Sequence, residues 1–416
     1  MALDQSFSAM LKNYRPVNIL KDEVKKRDYM FRTIKKDPNW KGGRYQIPVN
    51  TAVASSVKFG ALTAEASIAE AKATMAYETE YLEIAQSLIF SQRDLASSDS
   101  YEGSFIKVMM DTLEPAALYY KEVISHSLLL GSKIDSLTAN GDALGTGVAS
   151  VNFPERFEID QLVVFRNDDP AAAEFYVIAV DLNAKSITVS ATRGGSAASI
   201  AAYTTAKSSA IHFDGTVNTS TGALQNSMNN LRDSLLSSAN GGSANLHNVA
   251  KASYKQWQAH NEDLSGASAE TLIEELFKMW VIASRKGRGN PSEILISFDN
   301  FQFIVNSLET NRRFSVSDLK AGYGFQSVKI TGPSGALVVT ALREMDNDIA
   351  PVVDWASFRL AGMKFFEPIK SPKNGDQVFE VRNTDGYKYI MDVAFYGNLV
   401  MYHPSYNGIG CKISIS

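Results

Sequence analysis

The chain has 416 residues, enough for two or three hydrophobic cores. Lys plus Arg total 41 against 45 Asp plus Glu, a net charge of −4, so no global positive excess argues for a nucleic-acid binder. The single cysteine, Cys411, excludes a disulfide-built scaffold and reads as a small buried strand residue.

The start, MALDQSFSAMLKNYRP, lacks the apolar stretch of a secretory signal. No run approaches the roughly 18 apolar residues of a membrane span, so the expectation is a soluble protein made inside the cell, with no membrane partner. Residues 1–41 form a charged arm, and from Lys12 to Lys41 it carries ten Lys or Arg against four Asp or Glu. Next comes RYQIPVNTAVASSVKFG, residues 44–60. Ile47, Val49, Thr51, Val53, Ser55, Val57 and Phe59 alternate with small or polar residues, the period of a strand with one apolar face. At roughly 3.3 Å per residue it would run about 55 Å, far beyond a usual strand. After the small-residue stretch ALTAEASIAEAKA the alternation resumes through Met75, Tyr77, Thr79 and Tyr81. Two long strands about a small-residue tip predict an oversized hairpin, which is marginal in water unless it lies on a surface.

Residues 101–131 place Phe105, Val108, Met109, Thr112, Leu113, Ala116, Tyr119, Tyr120, Val123, Ile124 and Leu128 at helical spacing. Ser98, Asp99 or Ser100 can open this long amphipathic helix, Pro115 should kink it and Gly131 should end it. Residues 140–215 shift to short apolar runs, LVVF, EFYVIAV, SITVS and AIHF, between Gly and Ser turns, which predicts a small inserted β domain. A helix with Leu224, Met228, Leu231 and Leu235 on one face is expected from Thr221, and a flexible joint at NGGSAN. Ser268 should open a helix striped by Leu272, Ile273, Leu276, Phe277, Trp280 and Val281. The strand SEILISF, a helix at DNFQFIVNSLET and further strands follow, so the chain is of α+β class.

Catalytic chemistry has no obvious home. Histidines 126, 212, 247, 260 and 403 are scattered without a metal-ligand spacing, GDALGTG fits no phosphate-binding loop, and no G-x-S-x-G elbow occurs. The basic cluster Arg285, Lys286 and Arg288 suits a helix C-terminus. No cofactor, metal or enzymatic activity is expected, and surfaces are the expected function.

The order of parts resembles the major capsid proteins of tailed bacteriophages: the charged arm, the long hairpin returning through TEYLEIAQSLIF, the helix YEGSFIKVMMDTLEPAALYYKEVISHSLLLG, and a C-terminal mixed part. Residues 257–314, with G-x-x-P-S-E-I-x-I-S between helices and N-R-R at the end, and the later ALREMDNDIAPVVDWASFRL are similar to sequences of that family. The resemblance implies an HK-97-like capsid fold: an N-terminal arm (1–41), an E-loop hairpin (42–80), a peripheral domain with its spine helix (81–139), an inserted β domain (140–215), and an axial domain with return strands (216–416). It further implies hexamers and pentamers of the chain forming an icosahedral shell around packaged double-stranded DNA. Portal and decoration proteins are implied as partners and, because the arm is short, a separate scaffolding protein. Location would be the virion capsid, assembled in the host cytoplasm.

Intersubunit contact is expected from the hairpin residues Val49, Val53, Val57 and Phe59. The arm residues Arg27, Lys35 and Lys36 would face a neighbour's Glu70, Glu78 or Glu80, unless both segments are simply solvated. Some relatives crosslink a Lys to an Asn with the help of a Glu; Lys58 lies on the hairpin, but neither partner can be placed in the sequence, and a solvated lysine is the better reading. An encapsulin-like compartment shares the architecture, and a carbohydrate-binding β module, using Phe153, Phe157, Tyr176 or Tyr203, is the alternative from another class.

Overall fold

The computed structural model describes residues 29–40, 45–50, 73–78, 82–91, 119–120, 122–138, 146–166, 172–203, 210–221, 223–268, 271–287, 289–311, 327–332, 335–368, 380–382 and 388–414. The chain divides into two compact units, Met1–Ser125 with Arg232–Ser416, and His126–Leu231.

The first unit opens with α1 (Tyr29–Thr33) and the short β1 (Lys36–Asp37), then the hairpin strands β2 (Tyr45–Asn50) and β3 (Ala73–Glu78), and then β4 (Leu82–Ser91). β2 and β3 pair antiparallel from Tyr45↔Glu78 to Asn50↔Ala73, without a bulge, as a two-stranded sheet of their own. The alternating residues 51–72 lie outside the described residues. So does most of the expected long helix, with Pro115; its C-terminal part, 122–130, is helical and buries Ile124, Leu128 and Leu129. Gly131 ends it at φ 82°, its N–H donating to Ser127 O at 3.1 Å. A β-carbon there would meet the Asn230 side chain at 2.5 Å, a second reason for glycine at this helix end.

The second unit contains β5 (Lys133–Ser136), β6 (Val148–Ser150), β7 (Leu162–Arg166), β8 (Ala172–Asp181), β9 (Ser186–Ser190) and β10 (Ala210–Phe213). The last four are the strands expected from the sequence. All six form one antiparallel sheet in the order β5-β10-β7-β8-β9-β6. A bridge between Leu137 and Val151 joins its two ends and closes it into a barrel. Val163, Phe165, Val177, Ile187 and Ile211 fill the interior. Phe165, Phe175 and Tyr203 meet edge to face, with centroids 5.3–6.3 Å apart. Buried Asp135 secures the closure by accepting the N–H groups of Ser136 and Phe153, each at 2.7 Å, and the Asn152 amide at 3.1 Å. Burial raises its pKa even so.

The helix expected from Thr221 is shorter. Asn218 Oδ1 accepts the N–H groups of Ser220 and Thr221, Val217 bridges to Leu224, and only α2 (Leu231–Leu235) is helical. The side-chain-capped turn competes with the helix for the same backbone donors. NGGSAN is likewise structured, entering a tight hairpin of β11 (Asn245–Leu246) and β12 (Val249–Ala250) turned by His247 and Asn248 at φ 49° and 62°.

Further along lie β13 (His260–Asp263), α3 (Leu272–Gly287), β14 (Glu293–Ile296), α4 (Phe298–Asn311), β15 (Ser327–Gly332), β16 (Gly335–Ala341), β17 (Ile349–Val353), β18 (Phe358–Pro368), β19 (Glu380–Arg382), β20 (Lys388–Met401) and β21 (Gly408–Cys411). A mixed six-stranded sheet runs β13-β21-β17-β14-β16-β15, and α3 buries Leu272, Leu276, Met279 and Trp280 against it. The other sheet is built on β20, which pairs antiparallel with β18 and β19 and, over ten residues, with β4; β1 adds in parallel to β18. The protein is thus α+β.

His212, on β10, is buried with Nδ1 3.3 Å from Ser132 Oγ, and burial, with Arg166 and Lys133 nearby, pushes its pKa down to about 3. Unfolding exposes an imidazole that takes up a proton near its ordinary value of about 6.5, so stability falls as pH drops from about 6.5 toward 3, by up to roughly 1.4 kcal/mol per pH unit. Urea unfolding of wild type and His212→Gln at pH 7 and pH 4.5 should show a smaller acid loss in the variant. Equal losses would assign the acid sensitivity to other groups.

Candidate functional site

The histidines do structural work. His126 Nε2 contacts Lys133 O at 2.6 Å, His247 Nε2 accepts Met401 N–H at 3.0 Å, His260 pairs with Glu262 at 3.1 Å, and His403 stacks on Tyr406. Cys411 is buried, its thiol directed to Glu262 O at 3.3 Å. Among the described residues no three His, Cys, Asp or Glu side chains are disposed to hold a metal ion, and no helix is long and apolar enough to cross a membrane.

Polar side chains converge instead where the arm and hairpin are rooted. Met30, Phe31, Ile34 and Trp40 are buried, which holds α1 and the following turn against the unit. Tyr29 donates its hydroxyl to Glu293 Oε1, as does Thr340, while Trp355 Nε1 donates to Oε2 at 2.6 Å. Glu293 is buried at the start of β14 between these three donors, one from the arm, one from β16 and one from the turn before β18. An ionised carboxylate out of water needs such partners. Burial, then the bond to Glu293, raises the Tyr29 pKa strongly, so its hydroxyl stays a donor.

The hairpin has its own latch. Tyr45, first residue of β2, donates to Asp37 Oδ2 at 2.6 Å, and its oxygen lies 2.7 Å from the Tyr402 hydroxyl. Because the Tyr45 proton goes to the carboxylate, Tyr402 supplies the second bond. The Tyr45 bond is the main cause that lowers the Asp37 pKa, and Trp40 packs on the Tyr45 ring at 5.5 Å. Ile47, two residues on, is fully buried.

The arm lysines behave differently from each other. Lys36 donates to Phe31 O at 2.8 Å and lies 4.0 Å over the Phe31 ring, within its own chain. Lys35 is exposed. Val49 and Glu78 take ladder positions opposite Thr74 and Tyr45. Arg27, Val53, Val57, Phe59, Glu70 and Glu80, and also Lys58, lie outside the described residues. Glu293, Tyr29, Trp355, Tyr45 and Tyr402 escape sequence reasoning because their partners are distant in the chain. The one available cue is a carboxylate heading an otherwise apolar strand, EILI, all four of whose residues are buried.

Of the rings that the carbohydrate-binding alternative would use, Phe157 and Tyr203 are buried in the barrel, the Arg156 guanidinium covers the Phe153 ring at 3.9 Å, and Tyr176 is half-buried.

Glu293→Gln leaves one oxygen for three donors and sets an amide N–H₂ against another donor. It should cost about 2–3 kcal/mol, and Tyr29→Phe about 1 kcal/mol, read as lower urea midpoints with unchanged slope. A Glu293→Gln protein as stable as wild type would mean that the carboxylate does not clamp the arm.

No family model and no curated protein matches the chain. Among solved structures it is similar to the capsid asymmetric unit of cyanophage A-1(L), at 11% identity and TM-score 0.45 over 92% of this chain and 90% of that one. It is also similar to the capsid of a native GTA particle, at 8% identity and TM-score 0.47 over 92% and 90%. A third likeness is to the holo-SrpI encapsulin complex of Synechococcus elongatus, at 8% identity and TM-score 0.39 over 93% and 88%.

Proposed function

We propose that this chain is a structural, non-enzymatic shell protein: the major capsid protein of a tailed bacteriophage, with an HK-97-like fold. Copies join as hexamers and pentamers into an icosahedral capsid around double-stranded DNA. The observation that carries the reading is the rooted ribbon. β2 and β3 form a two-stranded sheet latched by Tyr45, Asp37 and Tyr402, and the chain between them continues with alternating apolar residues through Phe59. Such a ribbon is marginal alone, and another copy of the chain offers it a surface. Repetition of one such contact around an axis closes a ring. The division into arm, E-loop hairpin, peripheral domain with spine helix, inserted β domain and axial domain belongs to this reading. So do a separate scaffolding protein, a portal, decoration proteins, assembly in the host cytoplasm, and pairing of Arg27 or Lys35 with a neighbour's Glu70, Glu78 or Glu80.

Expression with its scaffold should give closed shells in negative-stain images. Removing residues 51–72 should leave the circular dichroism near native while abolishing shells. Sedimentation of the intact chain as monomer alone, at high concentration with and without scaffold, would end the proposal. Shells filled with protein rather than DNA would favour the encapsulin-like compartment.

A further inference from the structure

A cleft of about 700 Å³ opens in the first unit between α1, the β14–β16 face and the first turn of α4. That size lies within the roughly 300–1,000 Å³ range of sites that bind ligands. Phe301, Val338 and Leu342 give it an apolar lining, and Phe298 stands at its edge, 57% exposed. An exposed ring beside an apolar cleft is the kind of surface that something covers. Of the charged residues lining it, Glu293 is held by Tyr29, Thr340 and Trp355, whereas Arg32 is exposed and makes no ion pair among the described residues. The matching occupant has an apolar face bordered by a carboxylate.

We infer that the cleft is filled by residues 16–24 of the same chain, PVNILKDEV, folded back as a short helix. The described chain begins at Tyr29, and Tyr29 lines the cleft, so the segment before it starts at the rim. Val17, Leu20 and Val24 fall at i, i+3 and i+7, the anchor spacing of a helix laid in an apolar groove, and Pro16 suits the first position of such a helix. The next residues, 25–28, read KKRD, and a link of roughly two to five residues is what joins antiparallel helices. A reversal there is required: if α1 simply ran on backwards, Tyr29 and Arg32 would share their face with Asp22 and Lys25, and the apolar stripe would miss the cleft.

Charge agrees with this placement. Glu23, three residues after Leu20, borders the stripe and meets Arg32, while Lys25, Lys26 and Arg27 stay in the link, in water. Asp28, four residues before Arg32, is the rival partner within the chain. Tethering favours this segment over one from elsewhere: a short link holds it near the cleft at an effective concentration in the millimolar range, so weak contacts suffice. The occupancy needs no second copy and stands apart from the shell reading.

The test uses the full chain, dilute and unassembled, bearing Leu20→Cys and Phe298→Cys, with isotopically light and heavy chains mixed before mild oxidation. Mass spectrometry of the digest should show a disulfide between positions 20 and 298 in light–light and heavy–heavy form alone. Light–heavy links in statistical proportion would seat a neighbour's arm, and folded protein without the link would leave the cleft to another occupant; either result overturns the inference. A second measurement spares the ring: Leu20→Asp in the otherwise native chain should raise the fluorescence of added anilinonaphthalene sulfonate roughly twofold, by emptying an apolar cleft that holds an arginine, and unchanged fluorescence overturns the inference as well. Arg32→Glu should cut the yield of linked chain roughly threefold, the scale of an exposed ion pair, and Glu23→Arg in the same chain should restore it. Restoration by Asp28→Arg and not by Glu23→Arg would overturn the folded-back pairing.

Discussion

Backbone pairing along β20 is the constraint on which the rest of the first unit depends. Fourteen residues long, it has β18 and β19 on one edge and β4 on the other. β4 directly follows the hairpin, and β18 carries the arm's β1, so both extended parts of the chain are anchored through one strand. Each ladder is a row of hydrogen bonds that fixes direction and register, since a one-residue slip would turn the whole apolar set to the wrong face. The bulges between Gly362 and Lys364 and between Lys364 and Glu367 bend β18 without breaking that pairing.

Upon this frame, buried polar groups set the finer placement. Glu293 ties arm to sheet and Tyr45 ties ribbon to sheet. Asn407, without exposure, does the same for the turns around them: its amide donates to Ser357 Oγ at 2.9 Å and His403 O at 3.0 Å, and its oxygen accepts Asp354 N–H at 2.7 Å. Such fully satisfied groups favour a single arrangement, because any other leaves a donor or acceptor dry.

Periodicity made the regular elements legible. Strands β7 to β10, the stripe of α3 and the paired stem of the hairpin follow from the spacing of Val163, Phe175, Leu276, Trp280 and Ile47. Closure of the barrel does not, because β5 and β6 are too short to show a period and Leu137 meets Val151 only through the sheet. The helix expected from Thr221 begins only at Leu231, because Asn218 offers the preceding backbone a local alternative. The polar anchors were invisible for a related reason: a tyrosine or glutamate announces its partner only after distant strands have met.

The two kinds of β structure also differ in when they can form. The barrel is assembled from residues 133–213, a contiguous stretch whose strands can pair soon after they leave the ribosome. The ribbon's latch joins Tyr45 to Tyr402, 357 residues apart. The Asp37 half of the latch is local, 8 residues from Tyr45, but the Tyr402 half cannot form until residue 402 has been synthesised. Sequence separation thus orders the two halves of the latch, the near bond able to form before the far one.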